Sequence, residues 1–132
     1  MMFLDASAII AIITAESDAA SLAARLDQAT IVITSPIAVY EAVVGLARVG
    51  NTTIAIANAV LDRFLTEVEA TIVPIDAPRG REAVTAFDRF GKGRHAAALN
   101  LGDCFAYACA RVADVPILCK GNDFPQTDIQ IA

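Results

Sequence analysis

Phe3-Leu-Asp-Ala-Ser-Ala-Ile-Ile-Ala-Ile-Ile13 is the stretch on which the fold turns. Phe3-Leu4 is a short apolar run that stops at Asp5, and a helical pattern begins at once with Ile9, Ile10, Ile12 and Ile13. That spacing predicts a strand feeding straight into a helix. Outward from it the same alternation repeats. Ser17-Asp18 starts a second helix that runs to about Asp27. Thr30–Thr34 is β-branched and reads as a strand. Ser35-Pro36 is an N-cap followed by proline at the first helical position, and Gly50 is placed to end that helix. Asn51 or Thr52 opens another, ending near Val68. Thr71–Ile75 predicts a strand, and Asp76-Ala-Pro78 caps a helix that stops at Gly91. After a loop over 91–100, a helix runs from Gly102 to about Ala113. Pro116–Cys119 reads as a buried strand, and Ile129–Ile131 as a short edge strand in an irregular tail. Strands alternating with helices imply an α/β fold, a central parallel sheet flanked by helices on both faces, in one domain over residues 1–132. Ligands in such folds bind at the carboxyl ends of the strands.

Composition narrows the function classes. Apolar residues make up 56% of the chain, so a membrane reading has to be tested. A spanning helix needs about 20 nearly uncharged residues. The longest charge-free stretches, Gln28–Tyr40 and Val49–Leu61, reach 13 residues each and contain polar groups. The N-terminus lacks a basic segment and carries Asp5 where a signal peptide builds its apolar core. The expectation is a soluble, cytoplasmic chain with no membrane role. Cys104, Cys109 and Cys119 form an odd set without C-x-x-C spacing, and His95 is the single histidine. No zinc constellation follows, and the thiols read as small packed hydrophobes. The net charge is −5, yet 5 of the 10 basic residues (Arg79, Arg81, Arg89, Lys92 and Arg94) fall between positions 79 and 94. One basic stretch can hold phosphates locally on an acidic protein.

Four carboxylates stand out. Asp5 closes the first strand, where it could equally be a helix N-cap. Glu41 lies in an apolar helical stripe, with Ile37, Ala38, Val44 and Gly45 at i±3 and i±4. A carboxylate there is costly unless paired or metal-bound, although an exposed position at the stripe's edge also fits. Asp103 sits in the first turn of its helix, where capping or dipole complementarity explains it too. Asp123 follows the strand Ile117–Cys119 after a Lys-Gly-Asn turn, and turn chemistry accounts for an Asp there. Together the four are harder to dismiss. Clustered carboxylates repel and raise one another's pKa values, and a divalent cation removes that penalty. Hard oxygen donors without a His/Cys set point to Mg²⁺ or Mn²⁺.

Four stretches carry a resemblance: Phe-Leu-Asp-Ala-Ser-Ala (3–8), Phe-Gly-Lys-Gly-Arg-His (90–95), Leu-Asn-Leu-Gly-Asp-Cys-Phe-Ala-Tyr-Ala (99–108) and Cys-Lys-Gly-Asn-Asp-Phe (119–124). The chain resembles a PIN domain of the VapC toxin family over essentially its whole length. The resemblance implies a compact PIN-like α/β fold and Mg²⁺-dependent endoribonuclease activity, with 5′-phosphate and 3′-hydroxyl products. It also implies homodimerisation and inhibition by a VapB-type antitoxin whose basic residue reaches the acidic pocket. The family's acidic tetrad falls on Asp5, Glu41, Asp103 and Asp123. Direct ligation is implied for Asp5 and Asp103, and action partly through bound waters for Glu41 and Asp123. Ser7 matches a hydroxyl two residues past the first acid, which positions the ligand or caps the helix. Asn122 stands where related sequences often carry a second Asp, which makes this site less negative.

Arg89, Lys92 and Arg94 are the candidates for contacting the RNA backbone; a solvated helix face is the plainer account of the same charges. Phe90 and Phe124 are the aromatics nearest the motifs, and could stack bases or pack in the core. Two alternatives remain. A receiver-type signalling domain has similar size and an acidic Mg²⁺ pocket, and Lys120 superficially fits it. But Asp5 lacks an acidic neighbour, and no Asp follows a strand near mid-chain. A catalytically inactive PIN module that only binds partners is the other, which the intact tetrad opposes. Finally, the apolar residues of the helices at Ala6–Ala15 and Thr52–Val68 exceed one core-facing stripe, so their surplus is expected to form a groove for an antitoxin helix.

Overall fold

The computed structural model describes residues 1–132. Its elements are β1 (Met2–Leu4), α1 (Ala6–Ile13), α2 (Ala19–Leu26), β2 (Val32–Thr34), α3 (Pro36–Val49) and α4 (Ile54–Glu67). There follow β3 (Thr71–Ile72), α5 (Ala77–Phe90), α6 (Leu101–Ala113), β4 (Ile117–Leu118) and a 3₁₀ turn at Phe124–Gln126. The sheet order is β3-β2-β1-β4, and every pairing is parallel. This is the expected α/β architecture. The order differs from a receiver-type sheet, in which the third strand lies beside the first.

Alternation along the strands divides the core in two. Met2, Leu4, Val32 and Leu118 point to one face, where Ile9, Leu22, Leu46 and Leu61 of α1 to α4 cover them. Phe3, Ile33 and Ile117 point to the other, against Ala86, Phe90, Ala106 and Tyr107 of α5 and α6. At the carboxyl edge, the buried Thr34 Oγ1 donates to the Leu4 carbonyl at 2.9 Å. That bond fixes the ends of β1 and β2 side by side.

Helix starts follow local chemistry. The Ser35 hydroxyl accepts from Ala38 N, and the Asp76 carboxylate from Arg79 N, each at 3.1 Å. Between α3 and α4 two expectations are corrected. Asn51, not Gly50, takes the left-handed conformation that ends α3, with φ 46°, and Thr52 N donates back to the Ala47 carbonyl. Asn51 and Thr52 are therefore spent on the α3 exit. Thr53 caps α4 instead, its hydroxyl accepting from Ile56 N. The strands are shorter than expected. Val73 N still reaches the Thr34 carbonyl, but Pro74 has no N–H to continue the ladder, so the run to Ile75 leaves the sheet. Ile129–Ile131 forms a single bridge, Ile131 to Ile117, rather than a strand.

Candidate active site

Asp5 is the first residue beyond β1 and is buried. Its Oδ2 accepts from the Ser7 backbone N at 3.0 Å and from the Ser7 hydroxyl. The same Ser7 Oγ accepts from Lys120 N at 3.0 Å. One hydroxyl therefore ties the acid after β1 to the end of β4. Burial pushes the Asp5 carboxyl above its ordinary range; the Ser7 hydrogen bonds pull it back, and the Asp123 charge adds to the rise.

Glu41 stands on α3 behind β2, half-buried, and reaches across to the start of α6. A Cβ on Gly102 would run into the Glu41 carboxylate, so a side chain at 102 would occupy the cradle in which that carboxylate lies. Burial first, then the charges of Asp5 and Asp103, raise the Glu41 carboxyl to about 7. Asp103 closes a capping box at the start of α6. The Asn100 side chain accepts from Asp103 N at 2.9 Å, and Asp103 Oδ2 accepts from Asn100 N at 3.0 Å. Burial raises the Asp103 carboxyl to about 6, against the Asn100 bond that lowers it; Asp5 and Asp123 add repulsion. Capping and site-building thus coexist at Asp5 and Asp103. These local bonds fall on Oδ2 of each, which leaves Oδ1 as a donor atom.

Asp5, Ser7, Tyr40, Glu41, Arg48 and Asp103 border one cleft of about 330 Å³ at the carboxyl edge of the sheet. Asp123 is exposed and outside the cleft lining, and acts on Asp5 and Asp103 through its charge. The acids do not close into a ligand cage: no three acidic, His or Cys side chains surround one point. The donor set nevertheless fits a hard divalent cation. Three carboxylates share one cleft, two of them with protonation driven towards neutrality by burial and mutual repulsion, and a cation is what would offset that cost. Soft-metal chemistry does not fit. All three cysteines are buried in the core, and burial pushes the Cys119 thiol to about 12.

The basic candidates are largely engaged within the chain. Arg89 donates to Asp128 Oδ2 at 3.0 Å and lies over the Phe90 ring, while Arg94 pairs with Asp88 at 3.1 Å and covers Phe87. Lys92 is exposed. Lys120 pairs with Glu16 and Asp18, so it is not the free lysine that a receiver site requires. Phe90 and Phe124 are both buried, which removes them as stacking surfaces. The aromatic on the cleft is Tyr40, 70% exposed. Sequence reasoning missed Tyr40, Arg48 and Gly102. The seven-residue spacing from Glu41 to Arg48, two helical turns on one face, was the signal available.

The sequence profile of the PIN domain matches residues 2–130. A VapC ribonuclease of Rhizobium meliloti is 39% identical over 141 residues, covering 98% of this chain and 99% of the relative. The chain belongs to the PIN-domain family, in its VapC group. Ribonuclease VapC36 of Mycobacterium tuberculosis is also 39% identical, over 98% of this chain and 91% of that protein. Among solved structures, the VapC20 toxin of Mycobacterium tuberculosis, described as cleaving the sarcin-ricin loop, superposes with a TM-score of 0.77 at 20% identity. It covers 100% of this chain and 98% of that one. A toxin-antitoxin complex from Klebsiella pneumoniae gives 0.72 at 15% identity, over 100% and 97%. At those identities the likeness is of fold, and it places this VapC chain in the same α/β architecture. No helix of the VapC chain is long and apolar enough to cross a membrane.

Proposed function

We propose that the chain is a divalent-metal-dependent endoribonuclease, the toxin half of a toxin–antitoxin pair. The observation that carries this reading is the meeting of Asp5, Glu41 and Asp103 at one cleft on the carboxyl edge of a parallel sheet. The VapC ribonucleases to which the chain is similar make RNA the substrate class. Asp5 and Asp103 would hold the metal, with Glu41 and Asp123 contributing partly through water; Mg²⁺ is the cation proposed, with Mn²⁺ as substitute. When bound, the cation supplies Lewis acidity that activates water and offsets charge growing on the phosphate. The chain's own contribution is placement. The Ser7 hydroxyl holds the Asp5 carboxylate against the end of β4, and the capping box locks Asp103 in one rotamer. Glu41 brings a third carboxylate over the Gly102 backbone, where it can orient and accept a proton from water. Arg89, Lys92 and Arg94 remain backbone-contact candidates, with Lys92 the one that gives up no internal partner.

The partners follow from apolar surface that the fold leaves uncovered. Tyr40 and Val44 on α3 and Ile54 on α4 border an apolar groove that adjoins the acid cleft. An amphipathic antitoxin helix would lie there. On the opposite core layer, Val84 and Leu101 are 71% and 69% exposed beside Phe87, and this α5–α6 face is proposed for pairing with a second copy. The groove takes one wall from α4, as expected, but the other from α3 rather than α1. Ile10, Ile12 and Ile13 are partly buried against the α1–α4 core layer, so α1 offers less surface than its sequence implied.

The test is cleavage of single-stranded RNA by the purified chain. Fragments with 5′-phosphate ends are expected with Mg²⁺ and none with chelator, and light scattering should give twice the monomer mass. Intact RNA under both conditions would refute the enzyme reading. A second expectation concerns Gly102→Ala. Alanine in a helix normally stabilises by about 1 kcal/mol over glycine, but here its Cβ displaces the Glu41 carboxylate. Because that carboxylate ends a flexible side chain, the fold should survive, while a displacement of about 1 Å lowers cleavage by tenfold or more. Thermal melting and initial rates, measured together, check both halves.

A further inference from the structure

We propose that Arg48 is a substrate-positioning residue, a guanidinium at the mouth of the acid cleft that grips a backbone phosphate of single-stranded RNA next to the scissile one. The inference rests on the nuclease reading above and adds to it a residue outside the acidic set and outside the basic stretch 79–94.

Arg48 borders the same cleft as Asp5, Glu41 and Asp103. It follows Glu41 by seven residues on α3, two turns along one face, or about 10 Å of axial rise. Helical side chains lean toward the N-terminus, so the long Arg48 side chain leans back toward Glu41. The guanidinium is exposed. It is also free, in a chain whose 15 acids outnumber its 10 bases. Arg63, Arg79, Arg89, Arg94, Arg111 and Lys120 all take carboxylate partners. Arg25 donates to the Ala132 carbonyl. Arg48, like Arg81 and Lys92, makes none of these contacts, and of the three it alone lines the acid cleft. No ion pair joins it to Asp5, Glu41 or Asp103.

A lone cation beside carboxylates that it does not pair with has a use in this cleft. An RNA strand approaching three acids is repelled wherever a bound cation does not screen them. Beyond the reach of that cation, the neighbouring phosphate needs a positive group of the protein's own. A guanidinium presents parallel N–H donors that match two phosphate oxygens, and it stays charged at every working pH. A phosphate contact positions the strand without reading its sequence. Arg48 therefore acts on where the strand lies, and the acids act on the bond.

The experiment compares wild type, Arg48→Gln and Arg48→Lys on single-stranded RNA with saturating Mg²⁺. Loss of one charge-assisted contact to phosphate should raise KM for R48Q by about tenfold or more, with kcat held within about twofold, the signature of uniform binding. The slope of log affinity against log salt should flatten by about 0.7. R48K keeps the charge but not the fork, so it should restore the salt slope and recover KM only in part. Melting temperatures of all three should agree, since the side chain is exposed and unpaired. Unchanged KM and salt slope in R48Q, with a wild type that cleaves, would overturn the role of Arg48 and leave the nuclease reading standing. So would a variant that loses only affinity for a protein inhibitor. A wild type that cleaves no RNA would take both down.

Discussion

Asp5→Asn is expected to abolish RNA cleavage while leaving the protein folded. Asp5 has two jobs that the substitution separates. As the N-cap of α1 it accepts from Ser7 N, and Asn caps as well as Asp. As a buried carboxylate with a raised pKa it is the most desolvated donor in the cleft, and an amide cannot replace its charge toward a cation. Metal Lewis acidity is worth several kcal/mol, and each ~1.4 kcal/mol is tenfold in rate, so a loss of about three orders of magnitude or more is expected. Without metal, the variant should melt at or above the wild-type temperature, because one repelling charge has left a crowded cleft. In cells, the wild-type chain expressed alone should arrest growth and the variant should not. Near wild-type cleavage by purified D5N in Mg²⁺ would remove Asp5 from the site.

The second large effect is a dependence of stability on pH that metal reverses. In the fold, Glu41 is raised from 4.5 to about 7 and Asp103 from 3.8 to about 6. A carboxyl with a raised pKa binds its proton more tightly when folded than when unfolded, so protonation favours the fold. That stability is fully present below the unfolded values and is lost as pH rises through the folded ones. With chelator, the melting temperature should therefore fall across the window from about 4 to about 7. Metal ligation needs the deprotonated forms, so stabilisation by Mg²⁺ should grow over the same window. At a hundred times its dissociation constant the cation adds about 2.7 kcal/mol, roughly 10 °C for a domain of this size. D5N should show a much smaller shift. A Mg²⁺ shift that is flat in pH, or equal in D5N, would place the metal elsewhere.

What the sequence determined by itself is what local chemistry controls. Hydrophobic spacing marked β1 and α1 around Asp5, and Ser35-Pro36 and Asp76-Ala-Pro78 marked helix starts, because a cap and a proline act on backbone within four residues of themselves. The alternation of strand and helix then left a parallel sheet as the consistent architecture. Of the four candidate acids Glu41 was the most legible, since a glutamate in the apolar stripe Ile37, Ala38, Val44 and Gly45 needs a reason that the local chain does not supply; Asp5 and Asp103 share its cleft, and Asp123 lies outside the lining.

What only the tertiary structure decided depends on partners distant in sequence. Pro74 ended β3 early because the ladder bonds run to β2, whose register no local signal gives. Arg89 turned from a free cation into the partner of Asp128, 39 residues away, and Phe90 from a candidate stacking surface into core. Gly102 acquired its purpose only when α3 brought Glu41 against it. Arg48 acquired its place in the same way, because its distance from Asp5 and Asp103 is set by how α3 packs against α1 and meets the start of α6 at the edge of the sheet. Burial is likewise a property of the assembled layers. The desolvation that raises Asp5, Glu41 and Asp103 arises only when the strands and helices carrying them close over one cleft, so the sequence could name the acids but not their protonation.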